Sequence, residues 1–267
     1  MDLQHILILL LAGGLSGFLA GFFGVGGGII LVPILLSYFQ YIGVSSLVAT
    51  HLAFGTSLFV IIFASSASAS QYHRNGHIIW KAVIVIGCVS VLGAWAGSWV
   101  AGGLQGKTLQ RIFAAVVIVA ALRLLSEQRK PKGEPEPRLG FPGLAGTGLV
   151  VGIVSSLAGV GGGVFSIPIM YTFLHFPLKR ALGTSSATIV ITALAAAAGY
   201  VVRGWGNPIL PSGTAGYVDI LHAIPVIAGT IPMAMVGATV AGKTKTATLR
   251  KVFAGFLLLV AIKMLFF

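Results

Sequence analysis

Acidic residues are scarce in this sequence. The 267 residues include five Asp and Glu, and three of these, Glu127, Glu134 and Glu136, lie in one short polar stretch. The other two are Asp2 and Asp219. Catalysis usually needs a nucleophile with a base, paired carboxylates or a metal cluster, and the sequence offers no such set. We therefore predict that the protein is not an enzyme and has no catalytic residues, metal site or cofactor.

Cysteine and charged residues are also rare. The single cysteine, Cys88, excludes an internal disulfide and any cysteine metal cluster, and we interpret it as a small packing residue. Charged residues make up 8% of the chain and hydrophobic residues 57%, with a mean hydropathy of +1.00. These values are far outside the range of a soluble domain. The composition predicts a membrane protein whose surroundings are the lipid bilayer.

The net charge of +12 does not indicate nucleic-acid binding. Basic residues lie at the edges of apolar runs, and no basic stripe with interleaved aromatic residues is present. Orientation of the chain in a membrane explains the excess of Lys and Arg. We therefore predict no nucleic-acid partner.

Ten apolar runs follow one another along the chain. Most approach the roughly 20 residues that a helix needs to cross the hydrocarbon core, but the second and seventh are shorter. These two short runs are candidates for full crossings, half-helices or re-entrant segments. The first run has a counterpart in the second half, so we read it as a membrane segment and not as a removable signal peptide. The runs are Leu3–Phe23, Gly27–Tyr41, Ser46–Ser70, Ile78–Ala101, Leu109–Leu125, Phe141–Ala158, Gly162–Phe176, Ala181–Val202, Val218–Ala241 and Leu249–Phe267.

The two halves of the chain repeat each other. The pentapeptide GVGGG occurs at Gly24–Gly28 and again at Gly159–Gly163. Near the end of each half, LQRIFAAVVIVAALRLL from Leu109 matches LRKVFAGFLLLVAIKML from Leu249. Two separated matches in the same order indicate a duplication. We predict a first transmembrane repeat at 1–125, a polar cytoplasmic linker at 126–140 and a second transmembrane repeat at 141–267.

The distribution of basic residues predicts the topology. If each half makes five passes, 13 of the 17 Lys and Arg residues fall on one face, and short cytoplasmic loops are rich in Lys and Arg. A re-entrant hairpin in place of the first two crossings gives the same distribution. The fold class is thus an all-α membrane protein with two inverted five-segment repeats and glycine-rich broken or re-entrant helices, a common plan for secondary transporters. The basic residues left on the other face are Lys107, Arg111, Arg203 and Lys263.

Consecutive glycines inside an apolar run break a helix and free backbone groups that lipid cannot satisfy. Such backbone is tolerated where protein or water surrounds it, and its N–H groups at the start of the next helix attract an anion. A tight hinge is the alternative reading. The candidate substrate-binding glycines are Gly24, Gly26, Gly27, Gly28, Gly159, Gly161, Gly162 and Gly163.

Hydroxyl groups and one imidazole lie next to these breaks in the sequence. The third run contributes Thr50 and His51, and the eighth contributes Thr184, Ser185 and Ser186. Hydroxyls in membrane helices often bond to their own backbone, but on equivalent runs they also suit a polar lining. His51 is an ionisable group in an apolar run, so it is either a functional residue or a satisfied structural histidine.

Few groups are available to relay protons. No acidic residue lies well inside an apolar run, which leaves His51 as the candidate relay and Asp219 as a remote second. A facilitator driven by the anion gradient and the membrane potential needs no relay, and we favour it.

The paired motifs carry a family resemblance. GFLAGFFGVGGGIILVPIL and its repeat GIVSSLAGVGGGVFSIPIM, followed by VATHLAFGTS and LGTSSATIV, resemble the TauE/SafE-type sulfite exporter family over essentially the whole chain. The resemblance implies transport of a small sulfur-containing anion, such as sulfite, sulfoacetate, thiosulfate or a similar organosulfonate, outward across the bacterial inner membrane. It makes a small anion the expected partner, with a second copy of the chain as a candidate. An anion channel or a non-catalytic membrane scaffold is the alternative function.

Overall fold

The computed structural model describes residues 2–112, 114, 115, 118, 137–245, 248, 251, 252 and 255. Its helices are α1 (Leu3–Phe23), α2 (Gly28–Tyr41), α3 (Ser46–Arg74) and α4 (Trp80–Gly103), then α5 (Phe141–Ala158), α6 (Gly163–Thr172), α7 (Leu178–Gly204) and α8 (Ile220–Lys243). Strands β1 (Thr214–Ala215) and β2 (Val218–Asp219) pair antiparallel just before α8. Residues 106–112 are helical, whereas most of the fifth run, of the linker and of the tenth run lies outside the described residues.

Six of these helices, α1, α3, α4, α5, α7 and α8, are long and apolar enough to cross a membrane. Helices α2 and α6 are shorter, as the two short runs predicted. The seventh run is helical only to Thr172, because His175 has a φ of 57°, a left-handed conformation that a helix cannot contain. The protein is an all-α membrane protein, with one hairpin of two-residue strands among the described residues.

Tryptophans mark the two edges of the membrane-facing surface on α4. Trp80 begins the helix and is half exposed, and Trp99 near its other end is also half exposed. At a rise of 1.5 Å per residue the two lie about 28 Å apart along the helix, close to the thickness of the hydrocarbon core. Exposed Leu92 and Cys88 lie between them, so the interpretation of Cys88 as a packing residue is wrong. Amphipathic aromatic rings at this spacing are typical of the two membrane–water interfaces.

Helices α1 and α8 pack through glycines. A Cβ added at any of three α1 glycines would collide with the α8 backbone, so only glycine permits this approach. The residue numbers of the partners rise together along both helices, which shows that α1 and α8 run parallel. The pairs are Gly13 with Val226, Gly17 with Thr230 and Gly21 with Ala234.

Helices α4 and α5 form the equivalent pair. A Cβ at Gly148 would lie 2.6 Å from the carbonyl oxygen of Ile86, and one at Gly152 would collide with Ser90, so these helices are also parallel. The first helix of each half therefore packs against the fourth helix of the other half. Between the two pairs, α3 and α7 contact each other and carry much of the core.

Side-chain hydrogen bonds fix the direction of each helix. His5 Nδ1 lies 3.0 Å from the hydroxyl of Tyr38, which joins the start of α1 to the end of α2. The hydroxyl of Tyr72 donates to the carbonyl oxygen of Gly21 at 2.9 Å, which joins the end of α1 to the end of α3. Helix α4 returns from that end. Because α4 and α5 are parallel, α1 and α5 run in opposite directions.

Lys and Arg residues of several helices lie at one end of the bundle. Lys179 Nζ donates to the carbonyl oxygen of Gly242 at 2.6 Å, which brings the start of α7 to the end of α8. We call this the basic end, and it carries Arg74, Lys81, Lys179, Arg180 and Lys243. Arg203, which stacks on Trp99 at 4.8 Å, lies at the opposite end.

Candidate functional site

The two glycine-rich breaks are buried loops of matching shape. Every residue from Gly21 to Ile29 is buried, as is every residue from Ala158 to Val164, so protein surrounds the unwound backbone. The glycines take left-handed backbone conformations that other residues adopt at a cost. Paired φ values are 64° and 65° at Gly24 and Gly159, 80° at Gly26 and Gly161, and 83° and 82° at Gly27 and Gly162.

The loops touch each other in the middle of the protein. A Cβ added at Gly28 would lie 2.7 Å from Cα of Val160, and one at Gly163 would lie 2.5 Å from Cα of Val25. Each half therefore places the start of its short helix against the loop of the other half. The structure brings together all eight glycines predicted for the site.

Two isoleucines hold the loop tips in place. Ile61 lies halfway along α3 and Ile189 in the first half of α7. A Cβ at Gly26 would lie 2.9 Å from Ile61 and 3.3 Å from Ile189, and one at Gly161 would lie 2.9 Å from both side chains. Sequence reasoning missed these residues because isoleucines in an apolar run carry no local signal of a role.

A repeated Gly-Thr-Ser tripeptide binds each loop to the opposite half. Ser57 Oγ donates to the carbonyl oxygen of Gly159 at 3.0 Å. Ser185 Oγ donates to the carbonyl oxygen of Gly24 at 2.9 Å. All four residues are buried. Each serine thus satisfies a carbonyl group that the glycine break leaves without a helical partner.

The threonines of the same tripeptides each hydrogen-bond to the residue before the fourth helix of the opposite half. Thr56 Oγ1 accepts a hydrogen bond from the backbone N–H of Asp219 at 2.9 Å. Thr184 Oγ1 accepts one from Ile79 at 3.1 Å. Asp219 and Ile79 are the residues immediately before α8 and α4. Thr184 therefore has a structural partner outside the glycine loops.

Three buried serines retain free hydrogen-bonding capacity. Within the part of the chain that the structure describes, no group hydrogen-bonds to the hydroxyls of Ser65, Ser155 or Ser186. Ser65 Oγ would lie 3.3 Å from a Cβ at Gly26, which places this hydroxyl at a loop tip. Unpaired buried hydroxyls are uncommon in proteins, so these three groups are available to hydrogen-bond a bound molecule.

The starts of α2 and α6 add backbone donors to this region. The N-cap residues are Gly27 and Gly162, and neither can supply a side-chain oxygen to the first N–H groups. Both helix starts carry partial positive charge, and they meet where the loops touch. Helix N-termini with hydroxyl donors suit a small anion.

The structure places Thr50 and His51 nearer the end of the bundle, close to the start of α3. His51 Nε2 lies 3.2 Å and 3.1 Å from the carbonyl oxygens of Ala101 and Leu104, so Nε2 carries the proton and donates to both. Thr50 Oγ1 accepts a hydrogen bond from Gln110 at 3.0 Å. Neither bond reaches the glycine loops.

His51 has a counterpart in the second half. It stands four residues before one Gly-Thr-Ser tripeptide, and Lys179 stands four residues before the other. Lys179 donates to Gly242 in the last turn of α8, as His51 donates to Ala101 in the last turn of α4. Donors at a helix C-terminus satisfy its free carbonyl groups. This equivalence favours a structural role for His51.

We expect His51→Gln to leave most of the transport activity intact. The substitution should lower the free energy of unfolding by about 1 kcal/mol, the usual contribution of a hydrogen bond. Flux in proteoliposomes, with and without a pH gradient, tests this for both proteins. A wild-type dependence on the pH gradient that disappears in His51→Gln would instead identify His51 as a proton relay.

Asp219 is more buried in the protein than its position at the edge of an apolar run indicated. The residue is 1% exposed, and its carboxylate accepts hydrogen bonds from the backbone N–H of His222 at 3.0 Å and from His222 Nδ1 at 2.7 Å. It caps the start of α8 and pairs with His222 at the end opposite the basic end. The structure does not bring Asp219 to the glycine loops.

Comparison with known proteins identifies the family. The family model described as sulfite exporter TauE/SafE matches residues 9–264. The chain belongs to this family. It is 32% identical to a probable membrane transporter protein of Haemophilus influenzae, over 97% of each chain. A probable membrane transporter protein of Methanocaldococcus jannaschii is 31% identical over 82% of each chain. No solved structure gives a significant match.

Membership of the TauE/SafE family defines the class of protein. The protein is a multi-pass membrane transporter and not an enzyme.

Proposed function

We propose that the protein exports a small sulfur-containing anion, such as sulfite, sulfoacetate, thiosulfate or a similar organosulfonate, across the bacterial inner membrane. The observation that carries the proposal is the meeting of two glycine-capped helix starts in the protein interior, with the unpaired hydroxyl of Ser65 beside them. Backbone N–H groups and hydroxyls are donors that suit the oxygen atoms of sulfite or a sulfonate. The family description supports a sulfur oxyanion as substrate.

The binding residues in this proposal are the eight loop glycines, with Ser185 and Ser186 on α7. Ser185 holds the carbonyl oxygen of Gly24, so it shapes the loop, whereas the hydroxyl of Ser186 is unpaired in the described structure. Thr184, Thr50 and His51 support the helices around the site. An inside-negative potential contributes about 2.3 kcal/mol per charge per 100 mV to the exit of an anion, so no proton relay is needed.

We also propose that the halves form inverted repeats, with the basic end in the cytoplasm. The opposite directions of α1 and α5 support the inversion. The collection of Arg74, Lys179 and Lys243 at one end supports the orientation. Reporter fusions at Pro135 and after Phe267 should therefore report opposite sides of the membrane. Fusions on the same side would contradict the inverted arrangement.

A carrier fits the closed centre better than a channel does. The glycine loops touch at Gly28 and Val160, and the residues around them are buried. A carrier opens such a centre to one side at a time, whereas a channel needs a continuous path. We expect saturable counterflow of a labelled sulfur anion in proteoliposomes that hold the unlabelled anion inside. Flux of sulfite, sulfoacetate, thiosulfate and sulfolactate, measured in parallel, identifies the substrate.

Empty liposomes and liposomes with a denatured sample serve as controls for that measurement. Flux that rises linearly with anion concentration and shows no counterflow would favour a channel. The absence of flux for all four anions would contradict a sulfur anion as the substrate.

A further inference from the structure

An opening of about 470 Å³ lies at the basic end, outside the site described above. Its walls come from the α3–α4 loop, at residues 75–77, and from the start of α7, at residues 177–180. The wall formed by α7 leads toward the glycine loops. Along α7 the next turn carries Ser185, which hydrogen-bonds to Gly24, about 7 Å beyond Arg180 at 1.5 Å per residue.

The lining of the opening is positively charged. It includes Lys179 and Arg180 and contains no carboxylate. Among the described residues, no acidic side chain forms an ion pair with either cation. Lys179 is held in position by its bond to Gly242, and Arg180 is exposed. Two cations in a concave surface, with no acidic partner among the described residues, raise the local concentration of anions.

Polar groups without a hydrogen-bond partner in the described structure also lie at this opening. Helix α7 begins after Pro177, which provides no side-chain cap, so the first N–H groups of the helix have no capping oxygen. His77 Nδ1 is buried and has no hydrogen-bond partner in the described structure. Burial and the charges of Lys179 and Arg180 lower the pKa of His77 below its ordinary value. A bound anion would offset these charges.

The equivalent place in the other half lacks these features. Lys179 and Arg180 correspond there to His51 and Leu52, counted from the Gly-Thr-Ser tripeptides. Tyr217 lies two residues before Asp219 as His77 lies two before Ile79, and its ring centre is 5.1 Å from that of His51. The backbone also differs, because α3 begins nine residues before its Gly-Thr-Ser tripeptide and α7 begins five residues before the other. The pair of cations is therefore a feature of the second half at these equivalent positions.

We propose that this opening binds the oxyanion group of the transported anion before the anion reaches the glycine loops. The proposal rests on the proposed function. The ligand is a small sulfonate or sulfur oxyanion, held by Arg180, Lys179 and the first N–H groups of α7. The phosphate of a lipid head group shares this chemistry, and the experiment separates the two sources.

Binding of sulfoacetate and of inorganic sulfate to the purified full chain tests the proposal. Calorimetric titration in nanodiscs of zwitterionic phosphatidylcholine should show a binding event that Arg180→Gln weakens about tenfold, the change expected for one charge-assisted hydrogen bond. Lys81→Gln is the matched control, because Lys81 is an exposed cation in the first turn of α4 at the same end and outside the opening. It should bind both anions as the wild type does.

Each other outcome has a definite meaning. Equal anion affinities of Arg180→Gln and the wild type would overturn the proposal. A difference in affinity between these two proteins that appears only in nanodiscs containing phosphatidylglycerol would also overturn it, since the ligand would then be a lipid. If the wild type transports the anions and Arg180→Gln binds them as tightly as the wild type does, the binding role of the opening is overturned and the proposed function stands. Absence of flux with weakened Arg180→Gln binding would overturn the proposed function and retain an anion site.

Discussion

Gly163→Ala should reduce transport about fivefold or more while the protein remains in the membrane. The new Cβ would lie 2.5 Å from Cα of Val25, 2.7 Å from Ile189 and 2.9 Å from the carbonyl oxygen of Gly24. Overpacking of this kind costs about 1–3 kcal/mol, and about 1.4 kcal/mol is a factor of ten in rate. Gly163 begins α6 without a positive φ, so the methyl group adds no backbone strain. The effect would therefore come from forcing the two loops apart.

The equivalent change in the first half should act in the same way. A Cβ at Gly28 would lie 2.7 Å from Cα of Val160 and 2.8 Å from the carbonyl oxygen of Gly159. Gly146→Ala is the matched control, because a Cβ there has no neighbour within 4 Å. Counterflow per folded protein, with size-exclusion chromatography as the check on folding, gives the comparison. Full activity of both loop variants would show that contact between the loops is not needed for transport.

The glycine-rich loops were predictable because their signal is local and repeated. Three consecutive glycines in an apolar run break a helix wherever they occur, and the second copy excluded coincidence. The structure gives the two copies nearly equal φ values, such as 80° at both Gly26 and Gly161. The short runs after them also became short helices. Local backbone chemistry thus accounts for this part of the fold.

The partners of the loops were not predictable in the same way. Nothing near Ser57 in the sequence shows that its hydroxyl reaches Gly159, which is 102 residues away. Aligning the two Gly-Thr-Ser tripeptides would have paired Ser57 with Ser185 and His51 with Lys179. The hydropathy runs favoured His51 as an ionisable group in an apolar segment, but the hydrogen bonds of His51 to the end of α4 depend on tertiary packing.

Helix directions were predictable from the sequence only in part. The count of basic residues predicted opposite orientations for the halves, and the glycine contacts between α4 and α5, with the bond from Tyr72 to Gly21, give α1 and α5 opposite directions. The close approach of α1 to α8 follows from small residues at four-residue spacing. The sequence indicates that Gly13, Gly17 and Gly21 pack closely but not which helix receives them.

Removing the serine hydroxyls that hold the loops should also lower stability and transport substantially. Ser185→Ala leaves the buried carbonyl oxygen of Gly24 without this donor, and it also leaves Ser166, whose hydroxyl lies 2.7 Å from that of Ser185, without this partner. An unsatisfied buried polar group costs about 1–3 kcal/mol. Ser57→Ala affects the single carbonyl of Gly159, so its cost should be smaller.

The order of stabilities is therefore expected to be wild type, then Ser57→Ala, then Ser185→Ala, with transport falling in the same order. Ser66→Ala is the control, because Ser66 is an exposed residue of α3 whose hydroxyl bonds within the helix to Ile62. Thermal unfolding in detergent and counterflow in proteoliposomes measure the two quantities.

The serines act on opposite loops, and these loops touch, so the loss of stability in the double variant should differ from the sum of the losses in the single variants. Additive losses would show that the two loops open independently, and losses no larger than that of Ser66→Ala would show that these hydroxyls do not hold the loops.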